Sequence, residues 1–316
     1  MSNVPRLSGI ATLTVLALSV GARGGPDEKV PTFGVDLGVV NLSLAVTDPH
    51  DHHVSDLTQG DFTVFEDGVR QDVCVFTRER LPISLTLLLD ASSSMKRSLP
   101  TAQAAAVRFI RTLRPEDDAE VAQFTRTYTV LQEATSNQAS LEAAVARVEA
   151  LGDTSLYGAL YISLQGLRKR PAKDVWRRRA VVVLTDGEDT SSIVGEDQLM
   201  DLARKAEVAV YAIGLFGPRT PETPTTPVHF LTAIARDTGG RAFFPKALGD
   251  LDRVYDQIAE ELRTLYGLGY VPSNTRADGG WRRIAIETVR PNLIVRHRLG
   301  YQASGRPARP SIAINP

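Results

Sequence analysis

Two apolar runs constrain the fold of this chain more than any other feature. Ile83-Ser84-Leu85-Thr86-Leu87-Leu88-Leu89 ends in Asp90, and Ala180-Val181-Val182-Val183-Leu184-Thr185 ends in Asp186. Short runs that are apolar on both faces suit strands of a parallel sheet covered by helices on each side. Open sheets of that kind place ligand sites at the carboxyl ends of their strands. Both carboxylates are therefore expected on one rim.

The segments around these runs alternate strand and helix. Strands are predicted near residues 83–89, 120–125, 127–131, 180–185, 208–215 and 241–244. Helices are predicted near 99–113, 139–150, 155–168, 196–207, 229–238 and 248–266. In the last of these, Leu251, Val254, Tyr255, Ile258, Leu262 and Leu265 share one face. The expected class is α/β, a doubly wound, mostly parallel sheet with helices on both faces.

Strand-like sequence flanks this body. Gly38 to Asp48 alternates in its later part, and Asp48-Pro49-His50-Asp51 reads as a turn. Leu57 to Gly68 holds another strand with a hairpin signal at Asp67-Gly68, and a further strand is predicted at about 71–78. Behind the body come Tyr266 to Pro272, then 282–289 and 293–298, read as a strand pair around Pro291-Asn292. Three strands in front and three behind suffice for one small sandwich. The α/β body at 82–266 is therefore expected as an insertion in a β-sandwich-like domain formed by the N- and C-terminal strands, 30–81 and 267–303. Residues 304–316 read as a tail.

Asp90-Ala91-Ser92-Ser93-Ser94 places a carboxylate and two spaced hydroxyls on the turn after the first run. Oxygen donors of low total charge suit a hard divalent cation such as Mg²⁺. The alternative is an aspartate that only caps the next helix. Gly152-Asp153-Thr154-Ser155-Leu156 opens a helical stretch and offers one more hydroxyl on the same rim.

Taken in order, Asp90, Ser92, Ser94, Thr154 and Asp186 resemble the metal-ion-dependent adhesion site of the von Willebrand factor type A domain, the family that includes integrin inserted domains. The phrases Leu-Leu-Leu-Asp, Thr-Ser-Leu-Tyr-Gly-Ala-Leu and Leu-Thr-Asp-Gly fit as well. Asp153 stands where that family commonly has Gly, adding a charge but removing no ligand. The resemblance covers residues 82 to 266. It implies Mg²⁺ or Mn²⁺ held by the hydroxyls of Ser92 and Ser94. Thr154 and Asp186 then act directly or through water, and Asp90 holds water ligands. It also implies a protein partner whose Asp or Glu carboxylate completes the coordination. Further phrases, Val64-Phe65-Glu66-Asp67-Gly68, Leu268-Gly269-Tyr270 and Arg298-Leu299-Gly300-Tyr301, resemble bacterial secreted "VWFA-related" proteins. That likeness implies location and architecture more than activity.

The expected function is a secreted, metal-dependent protein-binding module. The competing readings are a structural assembly protein that binds through its β domain with a vestigial metal site, and a Mg²⁺-dependent hydrolase. The chain lacks Gly-x-Gly-x-x-Gly, Walker A, Gly-x-Ser-x-Gly and His-Glu-x-x-His, and no His or Lys lies in the three motif segments. No enzyme is expected.

Bulk properties narrow the rest. At 43% hydrophobic and 23% charged, the chain is expected to fold. A formal net charge of −1 gives nucleic-acid binding no support. The basic run from Arg168 to Arg179 is read as a solvated connector at a helix carboxyl end. Residues 1–22 read as a secretory signal whose apolar core, Ile10 to Val20, is short for a membrane span of about twenty residues. Export to periplasm, cell surface or medium is expected, with no integral membrane segment after cleavage. Cys74 is the one cysteine, so no intrachain disulfide forms, and a buried strand thiol is expected. His50, His52 and His53 read as a solvated turn, His229 as a helix start, and His297 as an exposed strand position. Glu188 and Asp189 are either turn and cap groups or tune the metal. The Pro-Thr-rich loop 217–227 is expected on the metal rim.

Overall fold

The computed structural model describes residues 38–78, 81–170, 177–216 and 226–303. The front of the chain forms β1 (Val40–Thr47), β2 (Phe62–Glu66), β3 (Val69–Gln71) and β4 (Val73–Thr77). The central body follows as β5 (Ile83–Asp90), α1 (Leu99–Arg111), β6 (Asp118–Phe124), β7 (Tyr128–Thr135), α2 (Gln138–Ala146), α3 (Leu156–Lys169), β8 (Arg178–Thr185), α4 (Glu196–Ala206), β9 (Ala209–Gly214), α5 (Thr226–Thr238), β10 (Ala242–Phe243) and α6 (Leu251–Thr264). The chain returns through β11 (Tyr266–Tyr270), β12 (Trp281–Thr288), β13 (Ile294–Arg296) and β14 (Gly300–Gln302).

The central sheet runs in the order β10-β9-β8-β5-β6-β7. All its pairs are parallel except β6 with the edge strand β7. Alternate residues feed opposite faces, as the strand period of two requires. Leu85, Leu87, Leu89, Val182 and Leu184 pack with α1, α2 and α6. Leu88, Val181 and Val183 pack with α3, α4 and α5. A doubly wound α/β body is thus the observed architecture, as expected from the two apolar runs.

The flanking strands form two four-stranded sheets, ordered β13-β1-β11-β4 and β14-β12-β2-β3. Each mixes front and back strands. β1 pairs antiparallel with β11, and β2 pairs antiparallel with β12. Between the sheets lies a third core of Leu42, Leu44, Phe62, Val64, Tyr266, Leu268, Tyr270 and Ile284. The β1–β11 and β2–β12 ladders fasten the front and back segments together around the inserted body.

Several details differ from expectation. The sandwich takes four strands from each end rather than three. The predicted strand at 71–78 is split at Asp72: β3 continues the hairpin with β2, while β4 crosses to pair with β11 in the other sheet. The expected pair at 282–289 and 293–298 is also divided, since β12 pairs with β2 and β14 whereas β13 pairs with β1. A turn at Pro291-Asn292, with Asn292 at φ 63°, reverses the chain but passes it between layers. The Asp67-Gly68 turn does close a two-residue hairpin, with φ of 48° and 81° at its two positions.

Cys74 is exposed, not buried; it sits on edge strand β4, and its Sγ reaches Gly269 O at 3.4 Å. The basic run is only partly solvated: Arg168 and Lys169 are exposed, whereas three of its arginines are engaged. Arg170 pairs with Asp118 and Glu120, Arg177 pairs with Asp118, and buried Arg178 donates to Leu262 O at 2.6 Å and to Leu265 O at the end of α6. Burial lowers the Arg178 pKa to about 10, still charged at neutral pH. His297 is half-buried beyond the end of β13, while His229 lies in the first turn of α5 and is exposed. The signal segment, the tail and most of the Pro-Thr-rich loop lie outside the described residues. No helix among the described residues is long and apolar enough to cross a membrane.

Candidate metal centre

Parallel pairing puts Leu89 beside Leu184, so β5 and β8 end at the same depth of the sheet. One step further, Asp90 meets Thr185, whose Oγ1 donates to Asp90 Oδ2 at 2.5 Å. The other carboxylate oxygen, Oδ1, accepts from Ser92 N at 2.8 Å and folds the Asp-x-Ser turn back on itself. Asp90 is fully buried and Ser92 nearly so. A 3-10 turn, Ser93–Arg97, then lifts Ser94 to the surface.

Ser94 is the meeting point. Its Oγ lies 2.9 Å from Ser92 Oγ and donates to Asp186 Oδ1 at 2.7 Å. Thr154 arrives from the third loop, and its Oγ1 lies 3.6 Å from the point where a Cβ on Gly187 would stand, with Ser94 Oγ 4.0 Å from that point. Hydrogen bonds therefore join Asp90, Ser92, Ser94 and Asp186 directly, and Thr154 closes the far side beside Gly187.

The loops are stapled to one another through their backbones. Leu151 N donates to Ala91 O at 2.7 Å, Ser93 N to Gly152 O at 3.0 Å, and Gly152 N to Ser93 Oγ at 2.9 Å. Thr190 N donates to Thr154 O at 2.8 Å, and Thr154 N to Thr190 Oγ1 at 3.1 Å. Asp189 is a cap group. It accepts from Tyr157 N at 3.0 Å, one of the free N–H groups in the first turn of α3. Ser192 serves the next, accepting from Gly158 N at 2.8 Å while its own Oγ donates to Asp189. Glu188 and Asp153 are exposed, and Asp153 pairs with Arg126.

Burial pushes the Asp90 carboxyl above its usual pKa, against the opposing bonds from Thr185 and Ser92, and the nearby Asp186 charge raises it further. Asp186 is likewise raised by burial, with the Ser94 bond opposing. Two desolvated carboxylates facing a cluster of hydroxyls make a local surplus of acceptors. Among the described residues no group of three or more His, Cys, Asp or Glu is placed to hold a metal ion, and the present cluster is mostly hydroxyl. The histidine turn is not a second candidate: His52 bonds Asp48 at 3.1 Å and is exposed.

Residues 85–188 match the model of the von Willebrand factor type A domain. The match falls within the central α/β body, which is similar to that family over these residues. The matched span begins within β5 and ends after Asp186, so it takes in all three loops of the candidate site. Similar solved structures include BatB from Bacteroides thetaiotaomicron, at 17% identity over 57% of this chain and 98% of that one, TM-score 0.45. The vWF domain of the type V pili tip protein Mfa5 from Porphyromonas gingivalis aligns at 13% identity over 57% and 95%, TM-score 0.47. The PilB minor pilin from Streptococcus sanguinis aligns at 12% over 60% and 63%, TM-score 0.47. Likenesses this distant carry no functional argument. No curated protein matches the chain.

Sequence reading alone did not single out Thr185, Ser93 or Thr190 as parts of this site. Thr185 had a visible signal, since it directly precedes Asp186 at the end of a buried strand. Its partnership with Asp90 depends on β5 and β8 being neighbours, which spacing along the chain does not specify.

Proposed function

We propose that this chain is an exported protein-binding module whose type A domain captures its partner through Mg²⁺ or Mn²⁺. The observation that carries the reading is the position of Ser94 Oγ, within 2.9 Å of Ser92 Oγ and 2.7 Å of Asp186 Oδ1. In an octahedral Mg²⁺ shell with bonds of 2.0–2.1 Å, adjacent ligand oxygens stand about 3 Å apart. The oxygens are thus spaced as neighbouring ligands need to be. Every donor is oxygen, which favours a hard cation over Zn²⁺ or Cu²⁺.

Ser92, Ser94, Thr154 and Asp186 would hold the ion. Asp90, already bound to Ser92 N and Thr185, would orient the shell. Few ligand charges leave the cation electrophilic, so it supplies an anchor for a carboxylate on the partner. Leu151 and Ile193, both exposed, belong to the loops that bracket Thr154 and offer apolar contact around a polar centre. Export rests on the signal-like residues 1–22. Nothing in the reading requires catalysis.

Titration calorimetry of the full chain with MgCl₂ and MnCl₂ tests the site. One divalent site is expected, lost in Asp90→Ala and in Ser92→Ala. Unchanged affinity in both variants rejects the assignment. Capture of partners from native envelope and medium, with Mg²⁺ or with chelator, tests the mechanism. Binding at full strength in chelator transfers the role to the β-sandwich.

A further inference from the structure

Helices of the type A body run back against its parallel strands, so their carboxyl ends lie at the end of the sheet opposite the metal rim. There the last turns of α4 and α5 meet the outer face of β12 and the start of β14. They enclose an open groove of about 450 Å³ between the inserted body and the sandwich.

Its walls are cationic. Arg204, Lys205, Arg236 and Arg283 face Asp201 and Asp237, four positive groups against two negative ones. Lys205 is matched by Asp201 at 2.6 Å. Asp237, 3% exposed, serves two arginines at once. Its Oδ2 accepts from Arg204 Nε and Nη2 at 3.0 and 2.8 Å, and its Oδ1 from Arg236 Nε and Nη2 at 3.2 and 3.1 Å. Both guanidiniums are gripped on one edge, and neither Nη1 has a hydrogen bond among the described residues. A buried carboxylate that fixes two planar forks in this way lowers the entropy cost of a further anion contact. The Arg283 guanidinium has no protein partner among the described residues and is exposed.

Trp281 supplies the apolar part. It lies two residues from Arg283 on the same face of β12, and it is 40% exposed. Its ring covers Gly300, where an added Cβ would lie 2.6 Å from Trp281 Cζ2, so the absence of a side chain there lets the indole lie flat. An exposed indole beside surplus arginines is the composition of an interface hot spot.

We infer that this groove binds an acidic segment of a partner protein, with an aromatic or apolar side chain on Trp281 and carboxylates on Arg283 and the Arg204–Arg236 pair. The groove is open, so a small molecule would keep much of its surface in water, whereas an extended chain spans it. The site lies away from the metal rim and does not depend on the metal reading.

The test is fluorescence anisotropy of a fluorescein-labelled Glu-Glu-Tyr-Glu-Glu peptide with the full chain in EDTA. Saturable binding is expected, with a lysine-for-glutamate peptide failing to bind. Trp281→Ala and Arg283→Glu should each weaken it about tenfold, or ~1.4 kcal/mol. Both side chains are exposed, and unfolding curves superimposable on the parent confirm intact variants; Arg283→Ala replaces the charge reversal if needed. No binding, or equal binding in both variants, overturns the proposal. Competition by phenyl phosphate at or below the peptide's own concentration overturns the choice of a protein segment and assigns a small dianion. Loss of binding that appears only in EDTA places the contact on the metal rim and also overturns it.

Discussion

Glu261 and Arg296 form an ion pair at 2.5 Å that joins α6 of the α/β body to β13 of the sandwich. Glu261 is 1% exposed, and its second oxygen accepts from Tyr211 Oη of β9 at 3.1 Å. Burial, followed by the Glu261 charge, holds the Tyr211 phenol well above its ordinary pKa, so it remains a donor. Three elements from two layers thus share one buried carboxylate.

Breaking that pair from one side should cost more than removing it. Glu261→Met strands Arg296 and the Tyr211 hydroxyl, and a loss of about 3 kcal/mol is expected, at the low end for a buried pair because the Arg296 side chain keeps 21% exposure. Arg296→Met should also destabilise. The double variant should recover most of either loss, since neither charge is then left alone. Urea unfolding of the four proteins gives the cycle, and strictly additive losses contradict the coupling.

A second buried carboxylate holds the sandwich. Glu66 Oε2 accepts from Tyr270 Oη at 2.7 Å and from Tyr301 Oη at 2.9 Å. Tyr270→Phe and Tyr301→Phe are each expected to cost about 1.5–3 kcal/mol, the range for bonds to a charged group. The pair together should exceed the sum of the two, because the last donor to a buried charge is worth the most. Chemical denaturation measures this. A double variant close to the parent in stability would show that water satisfies Glu66.

His297 gives the stability a pH dependence. Burial lowers its pKa below the ordinary 6.5, the Nδ1 contact with Arg298 O at 2.7 Å opposes this in part, and the neighbouring Arg298 charge lowers it further. The folded state therefore binds fewer protons than the unfolded state between the folded pKa and 6.5. The contribution is fully present above 6.5 and is lost as pH falls through the folded value. Unfolding curves from pH 8 to pH 5 should show stability declining across this window. His297→Gln should flatten the decline, and an equal slope in that variant removes His297 as the cause.

The α/β class was legible because two buried strands carry uninterrupted apolar runs and α6 carries one apolar face. Those signals are local, and packing did not overrule them. The sandwich was legible in outline only. Strand pairing there is set by turns such as Pro291-Asn292, and an alternating strand can satisfy either of two sheets. β4 and β13 therefore went to layers that their neighbours along the chain did not. Glu66, Tyr270 and Tyr301 sit in phrases noticed for resemblance, yet their convergence on one buried charge follows only from β2 and β11 facing each other across the sandwich. The Arg170 and Arg177 ion pairs were hidden for a like reason: the acids they meet, Asp118 and Glu120, alternate with apolar residues on another strand, and a basic run looks solvated until its partner is known.

Asp189 and Glu188 make the sharpest contrast at the candidate metal centre, because they are adjacent and both acidic. Asp189 is tied to the start of α3 through Tyr157 N and to its own loop through Ser192 N at 3.2 Å and Ser192 Oγ. The same loop bonds both backbone groups of Thr154 through Thr190. Asp189→Ala removes the helix cap, so a loss of about 1 kcal/mol is expected from that alone. It also frees the loop that positions Thr154, so Mg²⁺ affinity should fall although Asp189 is no ligand. Glu188 is exposed, and Glu188→Ala should change stability by no more than about 0.5 kcal/mol. Thermal unfolding with and without MgCl₂ separates the effects, since a cation that binds only the folded state stabilises it by RT ln(1 + [Mg²⁺]/Kd), so a weaker site gives a smaller rise in melting temperature. The expected order of Mg²⁺-induced stabilisation is parent and Glu188→Ala together, Asp189→Ala lower, and Asp186→Ala nearly none. If Asp189→Ala keeps the full Mg²⁺ response while losing basal stability, the α3 cap and the metal loops are independent, and Thr154 is held by Thr190 and Ser191 without help from Asp189.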